Sequence, residues 1–348
     1  MTAYIADFPA AYAAPLTGHY RVKPEDFKVD ELLDIPLSGH GEHLWLKVRK
    51  TNSNTDWVAS QLARAAQIQA SDVGYAGLKD RHAMTTQWFS LQLPGKADPS
   101  FEPLPPEIEV LEAQRHDKKL RRGALLGNRF ELTLRDCSGD LAQAQQVCHL
   151  IQQQGVPNYF GEQRFGHELG NLYKAEAWFS GAFKPKQRQQ ISLYLSAARS
   201  WIFNHILAER VRQGTWNQRI AGDIFQFDGG SAWFVDDGSV ELAERLASLQ
   251  IHPTGALWGR GVLPTQEKML ALEAEQAAHF VLFCQGLEQQ GLKQERRALR
   301  IKVENLQLET VDQSTNTLRL SFSLPAGAYA TVVMAQLGVF TSQAVPML

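Results

Sequence analysis

A lone carboxylate set among cations is the first feature with chemical potential, at Gly74-Tyr-Ala-Gly77-Leu-Lys79-Asp80-Arg81-His82-Ala-Met-Thr85-Thr86-Gln87. Two glycines three apart lead into the charged cluster, a pattern for a tight polar loop that enters a strand near Gln87. Lys79, Arg81 and His82 bracket Asp80, and cationic neighbours favour the ionised form of a carboxylate. A carboxylate held in that form works as a nucleophile or base rather than as an acid. The loop does not have the G-x-x-x-x-G-K-[ST] spacing of a phosphate loop, and the chain holds no G-x-G-x-x-G. By residue type alone, the same Asp also fits an ordinary surface turn.

Other segments carry weaker signals. In Arg21-Val-Lys23-Pro24-Glu25-Asp26-Phe27-Lys28-Val29 a charged turn runs into apolar alternation, where Phe27 reads first as core. Leu125-Leu-Gly127-Asn128-Arg129-Phe130 enters a strand, and the Asn128 amide serves either a turn or a base edge with paired donor and acceptor. Asn158-Tyr-Phe160-Gly161-Glu-Gln163-Arg164-Phe165-Gly166 mixes aromatics, arginine and glycine, which suits RNA contact and also a hinge between domains. His40-Gly-Glu42-His43 lacks metal-ligand spacing and reads as a turn before a strand. There is no G-x-S-x-G and no Cys with an evident His partner, so hydrolase triads lack support.

The elements that must position these residues follow from periodicity. Leu44, Leu46 and Val48 alternate, as do Phe89, Leu91 and Leu93, and most clearly Phe130, Leu132 and Leu134. Between the first two runs, positions 56–70 have helical period, with Trp57, Val58, Leu62, Ala65, Ala66 and Ile68 in a stripe and Asn54 or Thr55 as N-cap. A second helix is expected over 141–154, stopped by Gly155 and Pro157. From 155 to about 297 strands become rare, and helices are expected over 189–213 and 265–285. Alternation returns at Leu318, Leu320, Phe322 and Leu324. This order suggests an α+β chain in which two strand-bearing parts, 1–154 and 304–348, share one discontinuous domain interrupted by a helix-rich insertion over 155–303.

Composition sets the bounds. The chain has 348 residues, 44% apolar and 21% charged, enough for two domain cores. Three widely spaced cysteines argue against a disulfide scaffold or zinc ribbon and for a reducing compartment. No apolar run approaches a membrane span, and the first residues lack signal-peptide character, so a cytoplasmic protein is expected. The net charge of −2 argues against indiscriminate nucleic-acid binding. Two local runs, 115–122 and 293–302, each carry five fixed positive charges against one negative and could still meet phosphate. No heptad seam marks an interface, so a monomer without an evident protein partner is expected.

Taken together, Pro24-Glu-Asp-Phe27, Gly77-Leu-Lys-Asp80-Arg-His82-Ala, Gly123-Ala-Leu-Leu-Gly-Asn128-Arg-Phe130, Val156-Pro-Asn-Tyr-Phe-Gly-Glu-Gln-Arg-Phe-Gly166, Leu195-Ser-Ala-Ala-Arg-Ser200 and Leu324-Pro-Ala-Gly-Ala-Tyr-Ala-Thr331 make the chain resemble the TruD family of tRNA pseudouridine synthases. The resemblance covers nearly the whole length. It implies isomerisation of uridine 13 of tRNA to pseudouridine, with Asp80 as nucleophile or base on a flipped-out uridine. It implies a substrate pocket from Phe27, Asn128, Phe130 and Tyr329. The family usually has Phe at the last position, so the Tyr329 hydroxyl is a departure that needs a partner or water. In the family a basic residue, often Lys, lies near the aspartate, and Arg21 takes that place. The implied fold is a mixed, mainly antiparallel catalytic sheet interrupted by a family-specific domain, with RNA held in the cleft between them. The reaction needs no cofactor and no metal. A non-catalytic RNA-binding module and a nucleoside or glycoside hydrolase are the rivals: the first has no use for a carboxylate beside RNA, and the second ordinarily needs a further carboxyl across the bond.

Overall fold

A computed structural model describes residues 4–12 and 15–343, and all statements below concern these residues. The ends of the expected catalytic part, 1–3 and 344–348, lie outside them, as do 13 and 14. The chain forms two compact units. Among the described residues one, the helical unit, gathers 4–12, 149–303 and 328–338, and the other, the sheet unit, gathers 15–148, 304–327 and 339–343.

The sheet unit is built on a ten-stranded sheet. Its main path runs Glu304–Asp312, Thr317–Pro325, Gly127–Gly139, Phe27–Leu32, Met84–Gln92, His43–Thr51 and Ile108–His116. Along that path every pairing is antiparallel except Phe27–Leu32 with Met84–Gln92, which is parallel. Mixed, mainly antiparallel pairing is therefore what the alternating apolar runs produce. The alternation of Leu44, Leu46 and Val48 buries all three against helix Thr55–Ala65, through Val58, Ala59, Leu62 and Ala63. Each large aliphatic side chain so buried contributes roughly 1.5–3 kcal/mol. Trp57, expected in the buried stripe, is 38% exposed, because the helix packs through the 58/59/62/63 positions and Trp57 lies off that face.

The helical unit contains the long helix Arg188–Arg212, close to the expected 189–213. The single helix expected over 265–285 is two, Glu267–Ala278 and Val281–Gln289, separated at His279 and Phe280. A small four-stranded sheet, ordered Trp233–Val235, Ile224–Phe227, Ile251–Leu257 and Glu295–Ala298, also belongs here. Its strands are too short to announce a period. Packing groups 4–12 and 328–338 with the helices. The reason lies in three aromatic side chains of the N-terminal segment. Tyr4 packs on Tyr173, Trp201 and Phe283, Phe8 on Tyr159, Trp201 and His205, and Tyr12 on Trp216. The Tyr12 hydroxyl also donates to the Gly155 carbonyl at 2.8 Å.

A fully buried ion pair anchors the C-terminal end of the long helix. Arg210 donates to both carboxylate oxygens of Asp223, at 2.8 and 3.2 Å, and to the carbonyls of Thr215 and Gln218. Burial pushes the Asp223 pKa up, and Arg210 works against that shift. Arg210→Met should leave the carboxylate buried without its partner and destabilise the helical unit by about 3–5 kcal/mol in a urea titration.

Candidate active site

The loop between Val73–Tyr75 and Met84–Gln92 carries Asp80. Gly74 is required by close packing: a Cβ there would lie 2.5 Å from the Leu120 carbonyl oxygen and 2.6 Å from Ser90 Oγ. Gly77 has room for a Cβ, so its presence is not sterically forced. Thr55, at the start of the first helix, does not cap that helix but holds the loop. Its hydroxyl accepts the Lys79 N–H at 3.1 Å and donates to Gln87 Oε1 at 3.1 Å. The Gln87 amide in turn donates to the Gly77 carbonyl at 3.3 Å.

Asp80 is held from three sides. Oδ2 forms an ion pair with Arg21 Nη2, each side chain being 19% exposed. Oδ1 accepts the backbone N–H of His82 at 3.1 Å. The backbone carbonyl of Asp80 accepts from Lys50 Nζ at 2.9 Å, and the same ammonium donates to the Ser53 carbonyl at 2.6 Å. The cations expected to bracket Asp80 are otherwise employed: Lys79 turns inward to Glu31, with Nζ 3.0 Å from Oε1, and Arg81 is exposed. That Lys79–Glu31 approach has the distance of an ion pair without the angle of a directed hydrogen bond. Lys50 escaped the sequence reading although it continues the apolar alternation of Leu44, Leu46 and Val48, and a lysine on that buried face is the signal that could have found it.

Arg21 follows strand Leu16–Tyr20 with a left-handed φ of 56°. Its guanidinium carbon lies 4.1 Å from the Phe27 ring centroid and 5.5 Å from that of Tyr20, a cation–π arrangement that fixes the fork. The turn that makes this possible is clamped by Asp26, a residue without a role in the sequence reading. Its buried carboxylate accepts from Arg135 Nε at 2.9 Å and Nη2 at 2.6 Å, and from the Lys23 backbone N–H at 2.9 Å. Pro24–Asp26 is thereby locked as a 3-10 turn that delivers Phe27 to the sheet.

Phe27 is 4% exposed and stands edge-on to Phe130 at 6.4 Å, and Phe130 stacks on Phe322 at 5.3 Å. Strand register sets Asn128 opposite Glu31 and Phe130 opposite Val29. By the two-residue period of a strand, Asn128 and Phe130 share one face of the sheet. Asn128 Oδ1 is buried without a hydrogen-bond partner among the described residues. A buried acceptor left open costs roughly 1–3 kcal/mol. Arg21 thus touches both Asp80 and Phe27, Phe130 stands against Phe27, and Asn128 belongs to the same unit. Tyr329 belongs to the helical unit. Its hydroxyl has a partner there, accepting from Arg164 Nε at 3.0 Å.

The basic runs divide. Arg115 is committed to Asp98 and to the Gly41, Leu93 and Lys96 carbonyls, and Lys119 to the Ser71 carbonyl. Lys118, Arg121 and Arg122 are exposed; Lys119, Arg121 and Arg122 line a cavity of about 440 Å³ together with Tyr75 and Asp56. In the second run Arg296 and Arg300 are buried. The first pairs with Glu273 at 2.7 Å, and the second donates to His252 and to the Leu246 and Ile251 carbonyls. These two are enclosed in the core of the helical unit.

Comparison with known proteins now bears on this geometry. The profile of the tRNA pseudouridine synthase D (TruD) family matches residues 4–173 and 168–337. The chain belongs to the TruD family. It is 50% identical over 335 residues to tRNA pseudouridine synthase D of Hydrogenovibrio crunogenus, covering 96% of each chain. With the protein of that name from Methylococcus capsulatus it shares 48% over 343 residues, covering 98% of this chain and 96% of the relative. A crystal structure from Methanosarcina mazei, assigned to TruD, superposes with a TM-score of 0.73 at 22% identity and covers 94% of this chain and 95% of its own. That likeness supports the α+β fold of this TruD chain.

Burial lowers the Lys50 pKa to about 8, while Asp80 opposes the shift and Lys79 adds to it. Lys50 therefore binds its proton more weakly folded than unfolded. Its burial costs stability at neutral pH, and that cost fades as pH rises from about 8 toward the unfolded value. Loss of the ammonium also weakens the hold on the Asp80 carbonyl, so activity should decline on an alkaline limb centred near pH 8. Lys50→Met should remove that limb and lower kcat by up to about 10²-fold through a misplaced loop. A pH–rate profile of both proteins checks this.

Proposed function

We propose that this chain, a tRNA pseudouridine synthase by family, isomerises uridine 13 of tRNA to pseudouridine with Asp80 as the reacting carboxylate. We take the sheet unit as its catalytic domain, acting as a monomer in the cytoplasm. The observation that carries the reading is the Asp80 carboxylate paired to Arg21, whose guanidinium lies on the Phe27 ring.

The reaction breaks the bond from base N1 to ribose C1′, turns the base, and joins C1′ to C5, with loss of the C5 proton and gain of one at N1. Nothing is oxidised and no group is supplied from outside. Arg21 aims one Asp80 oxygen, and the His82 N–H takes the other. This geometry suits a nucleophile or base and is consistent with attack on C1′, addition to C6 of the base, or removal of a ribose proton. The detached base must be kept from water. The buried Phe27 and Phe130 rings supply apolar surroundings for that purpose.

The target uridine must leave its stack, at a cost of a few kcal/mol. Stacking on an aromatic ring returns roughly 1–3 kcal/mol. The open Asn128 Oδ1 offers an acceptor that a base N–H would satisfy. Exposed Lys118, Arg121 and Arg122 supply phosphate contacts with salt-sensitive affinity.

Asp80→Asn should bind tRNA with near wild-type affinity while forming no pseudouridine, and retained turnover would remove Asp80 from its role. Mass-spectrometric mapping of tRNA carrying cytidine at position 13 should find no product, and modification elsewhere would refute the positional assignment. Release of free uracil in place of product would support a hydrolase instead.

A further inference from the structure

One face of strand Phe27–Leu32 carries an anomaly. Phe27, Val29 and Glu31 alternate onto its buried side, and across the ladder they stand opposite Leu132, Phe130 and Asn128. Glu31 is the only ionisable residue in that set, and its side chain is fully withdrawn from water. A carboxylate placed there is costly unless its oxygens are matched.

One oxygen is matched by a hydrogen bond and the other by charge, from two different segments. Oε2 accepts the backbone N–H of Trp88 at 2.9 Å, just beyond the point where the parallel ladder with Met84–Gln92 ends at Asp30 opposite Thr86. Oε1 lies 3.0 Å from Lys79 Nζ, a side chain that is itself only 7% exposed. Lys79 immediately precedes Asp80, and its other end is held as well. Its backbone N–H donates to Thr55 Oγ1 at 3.1 Å. The residue before the carboxylate is therefore fixed both at its backbone and at the tip of its side chain. A buried pair of this kind adds little net stability, and its main effect is on geometry.

We infer that Glu31 is a positioning residue for Asp80. Through the Lys79 ammonium it sets where the Asp80 backbone stands relative to the strands that carry Phe27, Asn128 and Phe130. The inference rests on Asp80 being the reacting carboxylate. Arg21 and the His82 N–H act on that carboxylate itself, whereas Glu31 acts on the chain that bears it. Strand register supplies the reference: Glu31 shares a face with Phe27 and stands opposite Asn128, so a slack tether moves the loop against both. Glu31 neither transfers a proton nor forms a bond in this role.

The test is the single-turnover rate of pseudouridine formation in tRNA, measured for the full chain beside its tRNA affinity and its urea midpoint. Glu31→Gln keeps the volume and an oxygen for the Trp88 N–H but removes the charge facing Lys79. Its rate should fall at least about tenfold, while Kd for tRNA stays within about twofold. Glu31→Gln combined with Lys79→Met leaves no charge unpaired. That double variant should lose about as much as Glu31→Gln alone, because the two side chains act as one tether. The His82 amide, whose N–H meets Asp80 Oδ1, should shift in the amide NMR spectrum of Glu31→Gln. A role in stability alone would lower the urea midpoint and leave the rate per folded molecule and the His82 resonance unchanged, and that result overturns the inference. Should Glu31→Gln not fold, a wild-type rate in the double variant overturns it. The functional reading fails separately: turnover by Asp80→Asn strikes that reading, whereas an Asp80-dependent chain that keeps its rate in Glu31→Gln strikes the inference only.

Discussion

The ion pair between Arg21 and Asp80 is the constraint on which the site depends. Both side chains are four-fifths withdrawn from water, where their attraction is stronger than at an exposed surface but where either would be costly alone. Holding it requires Arg21 in the left-handed backbone region, an uncommon conformation for a residue with a side chain. The strain is offset locally by the bidentate Asp26–Arg135 clamp beneath the turn and by the Phe27 ring beneath the guanidinium. Both lie on the segment that sets where the Arg21 guanidinium meets the Asp80 carboxylate.

A second theme is how much positive charge lies inside this protein. Lys50, Lys79, Arg210, Arg296 and Arg300 are buried or nearly so at the side chain. Each is matched by carbonyls, carboxylates or a histidine ring nitrogen at hydrogen-bond or ion-pair distance. Such groups contribute little net stability, since desolvation consumes most of the Coulomb gain, but they fix geometry because a displaced partner is heavily penalised. In the sheet unit they set the loop that bears Asp80. In the helical unit they tie the helices to the small sheet.

Sequence alone determined a good deal here. Alternation of Leu44, Leu46 and Val48, and of Phe130, Leu132 and Leu134, specified buried strand faces, since a period of two puts every second side chain on one side whatever the strand later pairs with. The 189–213 helix was legible for the corresponding reason. Asp80, Phe27, Asn128 and Phe130 were nominated through motifs, which are local strings. What the sequence could not carry was partnership across distance. Which cations meet Asp80 was decided by strand pairing, which brings Lys50 and Arg21 to the loop and takes Lys79 away to Glu31. Whether a basic run faces solvent or core was decided the same way: Arg296 and Arg300 read like surface charges until the small sheet and its helices enclosed them. The membership of Tyr4, Phe8 and Tyr12 in the helical core likewise arises only when far segments assemble. Local periodicity is written in neighbouring residues, whereas burial and charge pairing are properties of surfaces that exist only after the chain has folded.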